Sequence, residues 1–303
     1  MKMTKNLHLE HPEDSVLNGE LSVLNWFTTK GNLSTKIDGS PAIVWGRNPA
    51  NNKFFVGTKS VFNKKLIKIN HDHREIDANH KGEVADILHK CLDNLPFTDS
   101  IFQGDFIGFG GNSDFHPNTI RYDFDEKVTQ KIVIAPHTVY TAEYDLRNAI
   151  AEPLQFVLES DNNVLYVQPE VYIDDDREDI QQLCDFARQM STLCNFANDK
   201  QVTRIKKQLN TCIRERIELD DITLEALASD NDCDINVLRL WKLVESIKHD
   251  MFNHIMRYDE IECYIDDEEC DHEGYVLTNQ FGSYKIIDRE YFSYANFNTS
   301  KNR

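Results

Sequence analysis

The sequence predicts an α+β protein, and three observations predict it. From about Gly31 to Tyr172, short runs rich in β-branched and aromatic residues alternate with Gly, Asn, Pro and Asp clusters, as in strands and turns. From about residue 176, apolar residues recur at helical spacing for about 85 residues. Strand signals then return at "HEGYVLTNQFGSYKIIDREYF". A helical block inside β-rich sequence favours segregated helices and strands over alternating βαβ units.

Four helices are predicted from the period of their apolar residues. The first spans Lys81–Leu95 and lies within the β-rich part of the sequence. Two more follow the apolar positions of Ile180–Cys194 and Val202–Ile213. The last begins at about Asp234 and continues to Ile255.

Composition indicates a protein that folds around its own core in the cytoplasm. A chain of 303 residues with 40% hydrophobic content is long enough to bury a sizeable core. No apolar run approaches the length of a membrane span, and the N-terminus lacks the apolar core of a signal peptide. We therefore expect no membrane partner.

The cysteines and the net charge indicate which kinds of disulfide, metal or nucleic-acid site to expect. Seven cysteines without C-x-x-C spacing indicate reduced thiols, and neither a disulfide framework nor a zinc knuckle. A net charge of -18 disfavours indiscriminate binding to phosphate backbones, so nucleic acid would need a local basic patch. An ordinary charged face is the alternative for each candidate patch. The candidates are Lys64, Lys65 and Lys68, and Arg204, Lys206, Lys207, Arg214 and Arg216.

Lys36 is a candidate nucleophile because it stands in "KIDG", directly before a predicted hairpin. A neutral lysine amine attacks the α-phosphorus of a nucleoside triphosphate, expels pyrophosphate and holds the nucleotide through a P–N bond. Since the ordinary pKa of lysine is about 10.4, freeing the amine at neutral pH costs roughly 5 kcal/mol unless positive charge or burial lowers that pKa. Taken alone, the tetrapeptide is more typical of a surface turn with a solvated lysine.

Other segments carry the polar groups that such chemistry needs. Lys59 follows a strand in "VGTKS", Asp105 lies on a strand in "FQGDFIG", Glu273 starts a strand in "EGYVLTN", and Lys285 lies in "SYKIID". A three-residue loop with Gly282 in the left-handed conformation would place Leu277 opposite Lys285, and Glu273 and Lys285 on one face. A four-residue loop would place them on opposite faces. We expect the three-residue loop.

The chain resembles the covalent nucleotidyltransferase superfamily of DNA ligases, RNA ligases and mRNA capping enzymes. The motifs that carry the resemblance occur in the family's order as "KIDG", "GTKS", "QGDFIG", "IVIAPHTVY", "EGYV" and "YKIID". The stretches "KIDGSPAIVWG", "KFFVGTKSVFNK", "FQGDF", "HPNTIRY" and "PHTVY" are more closely similar to a group of tailed-phage (bacteriophage) proteins with that fold. The resemblance covers roughly Ser34–Tyr140 and Glu273–Asn296.

This resemblance implies an antiparallel-sheet nucleotidyltransferase fold, like the adenylation domain of ligases, with a helical insertion. The implied organisation is a nucleotidyltransferase domain in two parts, 1–175 and 261–303, and a helical insertion at 176–260. Lys36 would be the nucleotidylated residue, with Ser34 next to the base edge. Lys59 replaces a more usual Arg on sugar or phosphate, and Asp105 replaces a more usual Glu on the ribose.

The remaining positions complete the implied site. Glu273 matches the carboxylate of the metal site, and Lys285 matches the first of two lysines on the α-phosphate. His137 stands near the position of the aromatic residue that stacks on the base. Asp38 and Gly39 complete the first motif at the nucleotide.

The chain departs from the family pattern at three points. The second motif lysine falls at Ile287, so one phosphate contact is lost or supplied elsewhere. The base-stacking aromatic falls near Pro136 and His137. Only 15 residues follow Asp288, so we expect no OB-fold domain, and the helical insertion or a partner would supply its role in ligation.

The resulting prediction is an ATP-dependent covalent nucleotidyltransferase that forms a lysyl-AMP intermediate and passes AMP to an RNA or DNA 5′-phosphate end. The expected cofactors are ATP and Mg²⁺, with Mn²⁺ as an alternative metal. The expected partners are nucleic acid and an accessory protein, in a cytoplasm that would be the host's for a viral protein. Two alternatives stay open: AMP transfer to a protein or small molecule, and a degenerate module that only binds nucleotide or nucleic acid.

Overall fold

The computed structural model describes residues 9–258, 261–270 and 272–299. The described chain divides into two compact units, each built from separate segments. The β-rich unit comprises Lys36–Pro169, 261–270 and His272, and the helical unit comprises Leu9–Thr35, Glu170–Tyr258 and 273–299. Helices and mainly antiparallel sheets occur together, which confirms the α+β class.

The elements of the described chain follow one another in this order. The helices are α1 (Pro12–Ser15), α2 (Val23–Trp26), α3 (His73–Asn79), α4 (Glu83–Asn94), α5 (Glu178–Ser191), α6 (Asp199–Arg214), α7 (Asp221–Asn231), α8 (Ile235–Phe252) and α9 (Arg289–Thr299). The strands are β1 (Asn32–Lys36), β2 (Ala42–Arg47), β3 (Phe54–Gly57), β4 (Ile101–Phe109), β5 (Asp114–Phe115), β6 (Arg121–Phe124), β7 (Ile132–Thr141), β8 (Ile150–Pro153), β9 (Val164–Tyr166), β10 (Glu170–Ile173), β11 (Ile255–Tyr258), β12 (Ile261–Ile265), β13 (Glu268–Cys270), β14 (Gly274–Asn279) and β15 (Gly282–Ile286).

The main sheet of the β-rich unit has the strand order β3-β2-β4-β7-β8, and all these neighbours are antiparallel. Strand β9 pairs with β7 in the parallel direction. Helix α4 covers this sheet because its apolar residues recur on one face. Ile87, Leu88 and Cys91 are buried in one cluster with Trp45 and Phe102 of the sheet.

A smaller antiparallel sheet in the same unit has the order β13-β12-β6-β5. Asp266 and Asp267 join β12 to β13, and both have positive φ, as a tight two-residue hairpin turn requires. Tyr122 of β6 is buried and its ring stacks on the ring of His272 at 6.2 Å. Within the sheet, Tyr122 pairs with Cys263 of β12 on one side and with Phe115 of β5 on the other.

The helical unit has one apolar core built mainly from α5 to α8. Trp241, Val244 and Ile247 of α8 are completely buried in it, together with Val16 and Trp26 from the N-terminal segment. A three-stranded sheet of order β1-β14-β15 packs into the same core, and β10 pairs with β11. The helices predicted near Ile180, Val202 and Asp234 correspond to α5, α6 and α8. The predicted end of the last helix at Ile255 is wrong, because α8 ends at Phe252 and Ile255 begins β11, which pairs with β10.

A buried ion network ties the N-terminal segment of this unit to α8 and α9. Oε1 of Glu13 accepts hydrogen bonds from Nζ of Lys248 and from the guanidinium of Arg289, each at 2.8 Å. Oδ1 of Asp14 accepts from Arg289 and from the indole of Trp241, each at 3.0 Å. Two carboxylates and two cations are therefore buried together with balanced charge.

The predicted register of the last hairpin is wrong. Asn279 pairs with Gly282, so the loop has two residues, and Val276 rather than Leu277 lies opposite Lys285. Gly282 has the expected positive φ, 134°, but it is a strand residue. Since directly opposed residues share a face, Lys285 shares the face of Val276, and Glu273 precedes the strand.

Two further differences concern helices. Helix α7 (Asp221–Asn231) was not among the predicted helices, because its apolar residues are not confined to one stripe. The segment "REYF" does not continue the strand pattern but begins α9, where the backbone N–H of Tyr291 donates to the side chain of Asp288 at 3.0 Å. No helix in the described part of the chain is long and apolar enough to cross a membrane.

Candidate functional site

Lys36 is the last residue of β1 and the first residue of the Lys36–Pro169 segment of the β-rich unit. Its side chain is half-buried, and the following Ile37 is buried. The chain leaves the strand directly after Lys36, which puts the rest of the tetrapeptide in an irregular segment. The conformation of this segment is fixed by contacts of Asp38, Gly39 and Ser40.

Gly39 lies against β4 at the position of Asp105. The backbone of Ser40 donates to the carbonyl of Phe106, and Phe106 donates to the carbonyl of Pro41, each at 3.0 Å. A Cβ atom at Gly39 would lie 2.7 Å from the Phe106 oxygen and 3.1 Å from Cβ of Asp105. This close approach requires glycine and brings two predicted motifs together that are far apart in the sequence.

Asp38 is held by two side chains of the same unit. Asn118 donates from Nδ2 to Oδ2 of Asp38 at 2.7 Å, and the backbone N–H of Asp38 donates to the hydroxyl of Tyr122 at 2.8 Å. Both residues lie in "HPNTIRY", which the resemblance included without assigning a role to either residue. Their contacts with Asp38 hold the segment that follows Lys36 in place.

Asp105 and His137 meet across β4 and β7. Gln103 pairs with Thr138 and Gly104 pairs with Pro136, so His137 is the extra residue of a β-bulge. Nε2 of His137 lies 3.6 Å from Oδ1 of Asp105, and the two side chains are 41% and 18% exposed. The bulge turns the imidazole outward toward the carboxylate, while Pro136 is buried.

A chain of hydrogen bonds that begins at the buried hydroxyl of Tyr140 orients His137. The hydroxyl of Tyr140 donates to Oε1 of Gln103 at 2.7 Å, which leaves the amide nitrogen of Gln103 facing Nε2 of His137 at 3.4 Å. Nδ1 of His137 lies 2.7 Å from the hydroxyl of Thr138. Burial raises the pKa of Tyr140 to about 12, so its hydroxyl keeps the proton that this arrangement needs.

Lys59 is the first residue of a short 3₁₀ turn that follows β3, and its side chain is exposed. The hydroxyl of Thr58 accepts from the backbone N–H of Ser60 at 3.3 Å and caps this turn. The predicted cation therefore stands at the end of the hairpin on a capped and ordered turn.

Three predicted site residues belong to the helical unit. Oγ of Ser34 lies 3.5 Å from the carbonyl of Val276, and Glu273 is half-buried directly before β14. Lys285 is half-buried on β15, and its backbone N–H donates to the carbonyl of Glu10 at 3.1 Å. The β-rich unit thus gathers Asp38, Gly39, Asp105 and His137, whereas Ser34, Glu273 and Lys285 are arranged around the sheet of the helical unit.

Ile287 is a core position. Its side chain is 5% exposed, and a Cβ atom at Gly274 would lie 3.0 Å from Cγ1 of Ile287. A lysine at this position would have to bury its ammonium group, which is strongly unfavourable without a partner. The nucleotidyltransferase motif has its second lysine at the position of Ile287. The buried surroundings of Ile287 favour an apolar residue there instead.

Among the residues that the structure describes, no group of three or more His, Cys, Asp and Glu side chains is arranged to hold a metal ion. Mg²⁺ is commonly held in nucleotide enzymes by one or two carboxylates together with water and the substrate phosphates. A single carboxylate is enough for that mode of binding.

The chain belongs to a family whose description is Family of unknown function (DUF6267). The family model matches residues 6–223 and 178–301, which together cover almost the entire chain. Comparisons with curated proteins and with solved structures found no match. The family description names no activity, so the resemblance to nucleotidyltransferases stays a prediction.

Proposed function

We propose that the protein is an ATP-dependent covalent nucleotidyltransferase in which Lys36 carries AMP, with a polynucleotide 5′-phosphate as the acceptor. One observation carries the proposal. Gly39, three residues after Lys36, lies against β4 at Asp105, and Asp105 in turn faces His137. A lysine, a carboxylate and an imidazole from three separate motifs are the groups that would contact the phosphate, ribose and base of one nucleotide.

The reaction is a displacement at the α-phosphorus. The lone pair of Nζ of Lys36 forms a P–N bond, the bond from the α-phosphorus to the bridging oxygen breaks, and pyrophosphate leaves. The nitrogen loses its protons to solvent, so the product is a neutral phosphoramide nitrogen. In the second step an oxygen of the acceptor 5′-phosphate attacks the same phosphorus, and the lysine leaves with a proton.

Side chains of the β-rich unit supply orientation. The Asp105 carboxylate is a hydrogen-bond acceptor for ribose hydroxyls, and His137 presents an exposed ring edge beside it. Asn118 and Tyr122 hold Asp38 and so limit the motion of the segment that carries Lys36. Fixing a nucleophile in this way is worth several orders of magnitude in rate when the reacting atoms are aligned.

On the resemblance, Glu273 would hold Mg²⁺, and Lys59 and Lys285 would contact phosphate or sugar. The metal supplies charge neutralisation of the triphosphate when it is bound. Lys59 and Lys285 are ammonium groups, which bind phosphate as point charges.

The proposal is tested by incubating the protein with α-labelled ATP and Mg²⁺ and resolving the products on a denaturing gel. We expect label on the wild-type chain, none from γ-labelled ATP, and at least a hundredfold less on Lys36→Ala. The exposed residue Lys53 gives a matched control, and Lys53→Ala should label like wild type. Absence of label, or label that persists in Lys36→Ala, contradicts the proposal.

A second function is favoured by Ile287, whose burial leaves the second motif position without a cation. It is nucleotide binding without covalent transfer. Equilibrium binding of a fluorescent ATP analogue, with equal affinity in wild type and Lys36→Ala and no covalent label, would support this function instead. If the label forms, nicked duplex, single-stranded RNA, proteins and small molecules tested as acceptors separate ligation from other transfers of AMP.

A further inference from the structure

Two histidines form a close pair on the surface of the β-rich unit, and neither belongs to the motifs of the proposed function. His73 is the first residue of α3 and His89 lies in α4. Their rings stack with centroids 5.0 Å apart and planes at 28°, and the two Nδ1 atoms are 2.7 Å apart. The side chains are 52% and 27% exposed, so solvent reaches the pair.

The outer nitrogen of each ring faces a carboxylate. Nε2 of His73 lies 3.1 Å from Oδ1 of Asp93, and Nε2 of His89 lies 3.1 Å from Oδ1 of Asp77. An ionised carboxylate only accepts hydrogen bonds, so each Nε2 carries the hydrogen. In a neutral imidazole the other nitrogen then has no hydrogen. Both Nδ1 atoms consequently direct lone pairs at each other.

Two opposed lone pairs at 2.7 Å require a cation between them. A proton shared by the two Nδ1 atoms is one such cation, and a metal ion is the other. An imidazole whose outer N–H donates to a carboxylate is the usual form of a metal-bound histidine, because the carboxylate fixes the ring and raises its basicity. Here both rings have this partner.

We propose that His73 and His89 form a binding site for a divalent transition metal ion that prefers imidazole ligands, such as Zn²⁺. Each Nδ1 donates its lone pair to the metal, Asp93 and Asp77 hold the outer nitrogens, and water completes the coordination. This site is independent of the proposed nucleotidyl transfer.

The geometry allows the metal with a small side-chain movement. At a Zn–N distance of 2.0–2.1 Å and a tetrahedral angle, the two nitrogens would be about 3.3 Å apart. The rings have to separate by about 0.6 Å from the observed 2.7 Å, which exposed side chains can do by rotation. The helices themselves stay in place because Ile76 of α3 and Leu88 of α4 are completely buried.

The test is titration of tag-free protein with Zn²⁺ by calorimetry. We expect one equivalent of Zn²⁺ bound. His73→Gln and His89→Gln should each weaken binding at least tenfold, and Asp77→Asn and Asp93→Asn about tenfold. His116→Gln, at another exposed histidine of the same unit, should bind like wild type.

Chemical shifts of the ring nitrogens provide a second measurement on the same protein. Zn²⁺ should shift Nδ1 of both rings and leave the Nε2–H resonances in place. Equal Zn²⁺ affinity in wild type and in the His73→Gln/His89→Gln double variant overturns the proposal. So does a wild-type protein that binds no Zn²⁺, since the pair then shares only a proton. Circular dichroism confirms that each variant is folded.

Discussion

The two units of the chain differ in how deeply they bury their charged side chains. In the helical unit, Glu13 and Lys248 are completely buried, and Nζ of Lys248 donates to Oε1 of Glu13 at 2.8 Å. In the β-rich unit, Asp105 and His137 stay partly exposed at a distance of 3.6 Å, which is too long for a hydrogen bond. The first set is therefore positioned to contribute to stability, whereas the polar atoms of the second set remain accessible to solvent.

The largest loss of stability is expected for a substitution of Glu13. Although burial alone would raise the pKa of Glu13, the cations Lys248 and Arg289 hold it well below its usual range. Glu13→Gln leaves two buried cations with only one carboxylate, and we expect it to lower the free energy of unfolding by about 3–5 kcal/mol. Urea denaturation measures the change.

Glu225→Gln is the matched control for this variant, because the Glu225 side chain is 66% exposed. We expect its effect to stay within about 0.5 kcal/mol. A Glu13→Gln variant as stable as this control would show that the buried network contributes nothing. The double variant Glu13→Gln/Lys248→Met should recover part of the loss, since it removes one uncompensated charge.

The helical unit should also lose stability in mild acid because of His11. Burial, opposed by Glu13, lowers the pKa of His11 from 6.5 to about 2. Below pH 6.5 the unfolded chain therefore binds a proton at His11, whereas the folded chain does not. The free energy of unfolding is highest above pH 6.5 and falls as the pH decreases. Between pH 7.5 and 5 we expect a loss of about 2 kcal/mol from this residue.

Unfolding experiments at several pH values measure this loss directly. His11→Gln should have a flatter profile over the same range, whereas His116→Gln should keep the wild-type slope. The Glu13 carboxylate does not interfere, because a lowered carboxyl pKa affects stability only below its unfolded value of about 4.5. Equal slopes in wild type and His11→Gln would contradict the account.

In the β-rich unit, the largest effect is expected at Gly39. The added Cβ of Gly39→Ala would meet the Phe106 carbonyl at 2.7 Å and force the segment away from β4. We expect a loss of about 1–3 kcal/mol in stability. Labelling by α-labelled ATP should fall as well, because Lys36 moves with the segment. Ser40→Ala at the exposed neighbour is the control, and it should change neither quantity.

A smaller effect is expected at Tyr122. Tyr122→Phe removes the hydroxyl that accepts from the backbone N–H of Asp38, which should cost about 1 kcal/mol. Differential scanning calorimetry measures this cost. Tyr144→Phe, at a side chain that is 79% exposed, should leave the unfolding temperature unchanged. If both variants behave alike, Tyr122 does not hold the segment.

The sequence predicted those elements whose signals are local. Val84, Leu88 and Cys91 place α4 by their spacing, and Asp105 was correctly expected on a strand. The register of β14 and β15 was not predictable from Gly282 alone. The side chain of Asn279 accepts from the backbone N–H of Phe281 at 2.9 Å, which stabilises the shorter turn.

Contacts between residues far apart in the sequence could not be predicted from local sequence patterns. Arg289 begins a helix in part because its guanidinium reaches Glu13 and Asp14, which lie more than 270 residues earlier. The bulge that turns His137 outward depends on how β7 pairs with β4, and β-propensity does not report it. Asn118 and Tyr122 were in a recognised stretch, but only the fold brings them to Asp38.

The most direct test of the central claim is the mass of the chain after incubation with ATP and Mg²⁺. The account predicts one added AMP moiety, mapped by peptide sequencing to Lys36, and its release when pyrophosphate is added. It also predicts that Asp105→Asn reduces the adduct at least tenfold while its stability stays within about 0.5 kcal/mol of wild type. An unmodified chain, or an adduct on any other lysine, would contradict it.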